Sequence, residues 1–244
     1  ELKSRLGGLP ETTDRPLSVE ELWQRAEVKL KLENDAAAVP LLDQILALRP
    51  DHALANLVRG RHWLETDDPR GVEHLERAIR ADASVTEPAC QLLFGHFART
   101  GQRERQREIE DRLEKFGELQ AAAQRERDNV TTVDTFLPPT LSAEQLQTLR
   151  DAVAVEPAVV RAHLARKDVQ IFPENPCHVL AVFVKWPLLK AVTQTTNQEL
   201  VDRILGRLQF SGYLMVFIAT DNLKSLGQKV AEVPGSLVCE QANR

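Results

Sequence analysis

DHALANLVRGRHWLETDDPRGVEHLERAIR, residues 51–80, decides the fold. Leu54, Leu57, Gly60 and the pair Trp63-Leu64 recur at helical spacing. Asp67-Asp68-Pro69 then turns the chain, with Pro69 at a helix start where it costs little. Val72, Leu75, Ala78 and Ile79 resume the helical stripe. Asp51 is the expected N-cap of the first helix. A small residue at Gly60 lets the two helices approach, and Trp63 is expected to fill the gap beside it as core. The same helix–turn–helix pattern stands on either side. Leu30, Leu64 and Ala98 lie 34 residues apart. So do the turn pairs Glu33-Asn34, Asp67-Asp68 and Gly101-Gln102, and Ala38 and Val72.

A period of that length with two helices per unit is the signature of tetratricopeptide repeats. One unit cannot bury its apolar face alone, so units stack, and the concave face binds proteins or peptides. In the first unit Ser18 and Glu21 form a capping box. Leu22, Trp23, Ala26 and Leu30 give its first stripe, and 36–48 its second helix, stopped by Arg49-Pro50. The third unit opens near Ser84, with Cys90, Leu93, Phe94, Phe97 and Ala98 before Gly101. Phe94 stands where Ala26 and Gly60 stood, so this unit departs from the pattern and is read as terminal. Its second helix is long: Ile109, Leu113, Phe116, Leu119 and Ala123 keep helical spacing as far as Glu126. A helix of that kind can cap a stack of repeats with its polar outer face.

The pattern changes after residue 129. Residues 130–141, with Pro138-Pro139, read as a linker. A helix over 141–154 is capped at Ser142. A strand-like run covers 159–172, with Arg166–Phe172 its clearest part. Val179–Trp186 is a continuous β-branched and aromatic run, the mark of a buried strand. Asn197–Leu208 is an amphipathic helix. A second buried strand over 213–219, a helix over 223–233 and a short strand over 236–239 follow. This order predicts a small α+β sandwich whose one sheet is covered by helices on one face. The expected class is therefore α+β, mainly α: a leader over 1–17, helical repeats over 18–129, the linker, and an α+β domain over 142–244.

The chain is 43% hydrophobic and 27% charged with a net charge of -5, ordinary for a globular protein. Cations and carboxylates are mixed throughout. The densest basic run, Arg103, Arg105 and Arg107, alternates with Glu104, Glu108 and Glu110. No basic stripe stands out, so nucleic acid is not the expected partner. No apolar run approaches membrane-spanning length, so direct membrane insertion is not expected. The polar start and the lack of an initial Met read as a piece cut from something longer. Cys90, Cys177 and Cys239 form no CxxC, which suits buried thiols in the cytoplasm.

Catalytic patterns are missing. There is no HExxH, no G-x-x-x-x-G-K-[ST], no GxGxxG and no G-x-S-x-G. His62 and His74 sit on two helices of one unit without a carboxylate at metal-ligand spacing. Cys177 and His178 are neighbours on a strand and point to opposite faces. Asp221-Asn222 reads as a helix N-cap. No metal, no cofactor and no catalysis are expected of this chain. The repeats offer the better site. First-helix positions place Trp23, Glu27 and Lys31 in unit one, Leu57, Arg61 and Glu65 in unit two, and Gln91, Gly95 and Arg99 in unit three. An aromatic, two carboxylates and three cations suit an extended peptide or protein partner. The groove is equally open to the chain's own linker or C-terminal domain. A site around Asp221, Lys167 and His178 is the enzymatic alternative.

The second and third units, the long helix, Phe136-Leu137-Pro138, and Arg161-Ala162-His163-Leu164-Ala165-Arg166-Lys167 together carry a resemblance. Over about 16–186 they are similar to the C-terminal part of bacterial membrane-associated zinc metallopeptidases related to the CAAX prenyl protease and HtpX. In that group a catalytic HExxH domain with membrane helices precedes a tetratricopeptide segment and a small α+β domain. The zinc-binding histidines and the catalytic glutamate have no counterpart here. The resemblance thus implies the non-catalytic cytoplasmic part of a membrane protein, which recruits substrates or partners or regulates its own protease domain. The alternative without the resemblance is a free-standing adaptor or co-chaperone.

Overall fold

The computed structural model describes residues 15–32, 35–186, 194–210 and 212–241. It is α+β and mainly helical, and it divides into two compact units between Glu118 and Leu119. That division falls inside the longest helix rather than after it.

In the first unit, Ser18 and Glu21 make the reciprocal cap. The Ser18 N–H donates to Glu21 Oε2 at 2.8 Å and the Glu21 N–H to Ser18 Oγ at 3.2 Å. This starts α1 (Val19–Leu32), which buries Leu22 and Ala26 against Ala38, Leu42 and Ile45 of α2 (Asp35–Leu48). The turn pair Glu33-Asn34, and the leader as far as residue 14, lie outside the described residues. Helix α3 (Ala53–Glu65) is capped by His52, not Asp51: His52 Nδ1 accepts the Ala55 N–H at 3.2 Å. An imidazole nitrogen thus takes the role expected of the neighbouring carboxylate. Asp67 turns the chain with φ 55°, and α4 (Arg70–Ala81) returns along α3.

Two glycines set how close α3 and α4 lie. A Cβ on Gly71 would stand 2.6 Å from the Gly60 carbonyl oxygen and 2.7 Å from Leu64 Cγ. A Cβ on Gly60 would stand 2.7 Å from Leu75 Cγ. The backbones therefore meet directly, and Leu64 and Leu75 fill what space remains. That leaves no room for Trp63 in the seam, which overturns its expected core position. The indole is half-buried and flanked by guanidiniums, Arg59 at 4.2 Å and Arg70 at 3.8 Å from its ring centroid. Asp43 and Asp68 hold those two cations at 2.9 and 2.6 Å. The third pair is α5 (Thr86–Arg99) and α6 (Arg103–Asp128), separated at Gly101 with φ 69°. Leu93, Phe97 and Ile109 join the Leu64–Leu75 cluster.

In the second unit the stretch read as a linker contributes β1 (Phe136–Leu137). Ser142 caps α7 (Ala143–Ala154) in a full box with Gln145. Strand β2 (Val159–Lys167) ends where its clearest part was expected, because residues after Lys167 bend into a turn with Phe172 at φ 53°. Then come β3 (Cys177–Val184), α8 (Gln194–Gly206), β4 (Tyr213–Ile218), α9 (Lys224–Ala231) and β5 (Leu237–Glu240). Strand β2 pairs antiparallel with β3, and β3 parallel with β4. Both β1 and β5 pair antiparallel with β2, on its other edge.

Both faces of this sheet are covered, not one. Leu149 and Val153 of α7 and Leu200 and Ile204 of α8 pack on Ala162, Leu164, Leu180 and Val182. On the opposite face Leu226 and Val230 of α9 pack on Ala165, Val179, Ala181 and Phe217. Strand β3, buried on both sides, accordingly has no polar alternation. Beside α7, Glu156 is 4% exposed and bound by Arg203 at 3.0 Å and by Arg207. Among the described residues no helix is long and apolar enough to cross a membrane.

Two stability predictions follow from this packing. Gly71→Ala forces a Cβ into a carbonyl oxygen and should cost roughly 1–3 kcal/mol in urea unfolding, as overpacking does. Gly117→Ala, in open space on α6, should instead stabilise by roughly 0.5–1 kcal/mol. The second concerns acid. Burial pushes the Glu156 carboxyl up, but the two guanidiniums outweigh it and hold it below the ordinary glutamate value. Its contribution is present above the unfolded value near pH 4.3 and is lost as pH falls through the folded one. The stability gap between wild type and Glu156→Gln should therefore be full above about pH 5 and shrink below about pH 4. An unchanged gap at pH 3 would contradict this.

Candidate functional site

The α3 surface presents the clearest binding geometry of the first unit. A cavity of about 450 Å³ is lined by Asp35, Ala36, Arg61, His62, Glu65 and Thr66. Arg61 projects from α3 one turn before Glu65, and Asp35 opens α2 across from them. The Arg61 guanidinium donates to both Asp35 oxygens at 2.6 Å, a bidentate pair that fixes its plane. This hydrogen bonding raises the Arg61 guanidinium further above its ordinary value, and the nearby Glu65 charge adds to it. The Glu65 carboxylate is exposed and in no ion pair among the described residues. The site thus offers an ordered cation edge and a free anion, side by side on rigid helices.

Of the residues placed in the groove by repeat position, Arg61 and Glu65 come together here. Arg99 reaches the same end of α3, its Nη2 3.5 Å from the Leu64 carbonyl oxygen. The others are spread along the unit. Glu27 and Lys31 bind each other at 3.0 Å on α1. Trp23 stacks against His52 at 5.3 Å between centroids and packs partly on the first core cluster. Leu57 packs on the second cluster. Gln91 donates to Glu87 at 3.2 Å along α5. Asp35, the partner that orders Arg61, was missed. The only signal available was its place just after the turn, since nothing in the spacing pairs residues 26 apart.

The second unit does not gather Asp221, Lys167 and His178. Lys167 is paired with Cys177 at the start of β3, whereas Asp221 follows the end of β4. His178 lies on the opposite face from Lys167. Lys167 Nζ is committed to the Glu126 and Asn129 carbonyl oxygens, both at 2.7 Å, and to Asp134 at 3.1 Å. Burial lowers the His178 imidazole to about 4, and its Nε2 lies 3.5 Å from Thr140 Oγ1. Burial likewise pushes the Cys177 thiol up to about 11 and raises Cys90. Neither thiol is poised as a nucleophile, which needs the thiolate. Among the described residues no group of three or more His, Cys, Asp or Glu side chains is placed to hold a metal ion.

Asp221 is not the helix N-cap that the sequence suggested. It stands in a short 3₁₀ turn at φ 48°, and neither that turn nor α9 has a side-chain cap. It borders a cavity of about 460 Å³ beside Asn197 and Thr220. The strand before this cavity sends its helix, α9, to one face, and β3 sends α8 to the other. Such divergence opens a crevice at the carboxyl ends of neighbouring parallel strands.

Compared with protein-family models, with curated proteins and with solved structures, the chain matches none. The likeness to the metallopeptidase group rests on the sequence pattern alone.

Because Asp35 is largely shielded and Arg61 is its ion partner, Arg61→Ala should lower stability measurably. We expect about 1 kcal/mol, the upper end for a partly exposed pair, read from the denaturant midpoint. A loss below about 0.2 kcal/mol would mean the pair is not formed in solution.

Proposed function

We propose that this chain is a non-catalytic protein-interaction module. In this reading its helix pairs are tetratricopeptide-type repeats, and their first-helix surface takes a protein or peptide partner. The observation that carries it is the Asp35–Arg61–Glu65 site: an oriented guanidinium beside an unpaired carboxylate, both on first-helix repeat positions or next to one. A preordered Arg loses little side-chain entropy on binding, which is why such residues often dominate an interface. The backbone approach at Gly60 and Gly71 supports the repeat reading, because it occurs at the position where the pattern asks for a small residue. The sequence resemblance adds a context, the cytoplasmic non-catalytic region of a metallopeptidase-like membrane protein that recruits or regulates. In that context the chain needs no cofactor, and its partner is a substrate protein or its own protease domain.

Glu65→Lys tests the reading while leaving Asp35, the hydrogen-bonding partner of Arg61, in place. The exposed position should leave the thermal midpoint within about 2 °C, as surface changes do. Capture of the partners that wild type retains by quantitative pull-down should fall at least about fivefold, through like-charge contact at the site. Equal capture by Glu65→Lys and wild type would show that this face is not the working surface.

A further inference from the structure

Strand β4 ends the sheet on the side away from β2, and among the described residues nothing pairs with its outer edge. The hydrogen-bond parity of that edge follows from one bond. The Ala219 N–H donates to the Val182 carbonyl oxygen at 2.8 Å. In a parallel ladder alternate residues turn both backbone groups to the same neighbour. Tyr213, Met215 and Phe217 therefore face β3, and Leu214, Val216 and Ile218 turn outward. The Ile218 oxygen is taken by the Thr220 N–H at 2.9 Å. The three outward N–H groups and the Leu214 and Val216 oxygens have no partner among the described residues.

Charge, proline and a bulge are among the devices that keep an edge strand single. Tyr213–Ile218 has none of these: it holds no charged residue and no proline, and its register to β3 is unbroken from Tyr213 to Ile218. Beside the edge runs the cavity of about 460 Å³, lined by Val201, Val216 and Ile218 and by the amides of Asn197 and Gln198. Amide side chains match peptide groups in both donor and acceptor. The Asn197 Oδ1 is buried without a partner, although its Nδ2 lies 3.4 Å from Thr220 Oγ1. Among the described residues Asp221 is the one charged residue in this lining, and none of them sets a cation against it there.

We propose that β4 binds an extended peptide as an added strand, with apolar side chains against Val201 and Val216 and a basic residue beside Asp221. Main-chain bonds would supply affinity, and the alternate side chains and the Asp221 charge would supply selectivity. This surface is separate from the Arg61–Glu65 site and does not rest on it.

The test uses the full chain and a fluorescein-labelled heptapeptide of alternating valine and threonine with one amino-terminal lysine. Fluorescence anisotropy should show saturable binding, and hydrogen exchange should slow at the Leu214, Val216 and Ile218 amides. The same peptide with proline at its central valine should not bind. Val216→Pro should weaken binding by at least about tenfold, since its N–H serves the outer edge and not the β3 ladder. Asp221→Asn, compatible with the left-handed backbone there, should weaken the lysine peptide by about threefold and leave a serine-for-lysine peptide unaffected. If Val216→Pro unfolds, the exchange data on wild type and the Asp221→Asn titration decide. Absence of binding, binding without protection of those three amides, or concentration-dependent protection without peptide would overturn the proposal. The last outcome would assign the edge to a second copy of the chain.

Discussion

An ammonium group buried to 5% exposure governs the second unit. Left unpaired, the Lys167 charge would cost several kcal/mol. It is matched by three oxygens, from Glu126, Asn129 and Asp134, and these belong to the end of α6 and the segment after it. The charge therefore dictates where that segment lies. Because Phe136 is the register partner of Lys167, the first edge strand is placed by the same requirement. Arg127 acts likewise from the other direction. Its guanidinium donates to the carbonyl oxygens of Ile171, Phe172 and Asn175, at 3.0, 2.9 and 2.9 Å, and so ties down the turn between β2 and β3. Two cations in an apolar surrounding thus organise the main chain of a whole edge. They are occupied by backbone carbonyls and, at Lys167, by the Asp134 carboxylate as well, which is why residues that look chemical in the sequence serve as scaffold.

The first unit solves its packing by the opposite means. It removes side chains instead of satisfying charges. At Gly60 and Gly71 the helix backbones touch, and large residues are excluded from the seam. The displaced Trp63 then finds partners in Arg59 and Arg70, whose charges are balanced by Asp43 and Asp68. A residue that periodicity assigns to the core becomes the centre of an alternating stack of carboxylate, guanidinium and ring.

These two solutions explain what could be read in advance. Helix positions, the Ser18 and Ser142 caps, the Gly101 break and the order of strands and helices after residue 141 follow from local chemistry and periodicity, and the structure shows them. Coverage of both sheet faces was also implied, since Val179–Val182 has no polar alternation, but the order of elements suggested a one-sided sandwich. The His52 cap was hidden because Asp51 is the commoner capping residue. The end of β2 was hidden because Arg127, more than 40 residues away in sequence, stabilises the turn after it. Of the candidate site, Arg61 and Glu65 were legible from repeat position. Asp35 was not, because its role arises only once α2 and α3 are packed.

Two of the three free thiols give the molecule two internal clocks, while the third, Cys239, is only partly buried. Cys90 lies in the first unit and Cys177 in the second, each with no measurable surface and each with its ionisation suppressed by burial. In the closed state neither offers a thiolate to an alkylating reagent. Modification at each sulfur then requires its own unit to open, so the two labelling rates separate the opening free energies of the units within one intact chain.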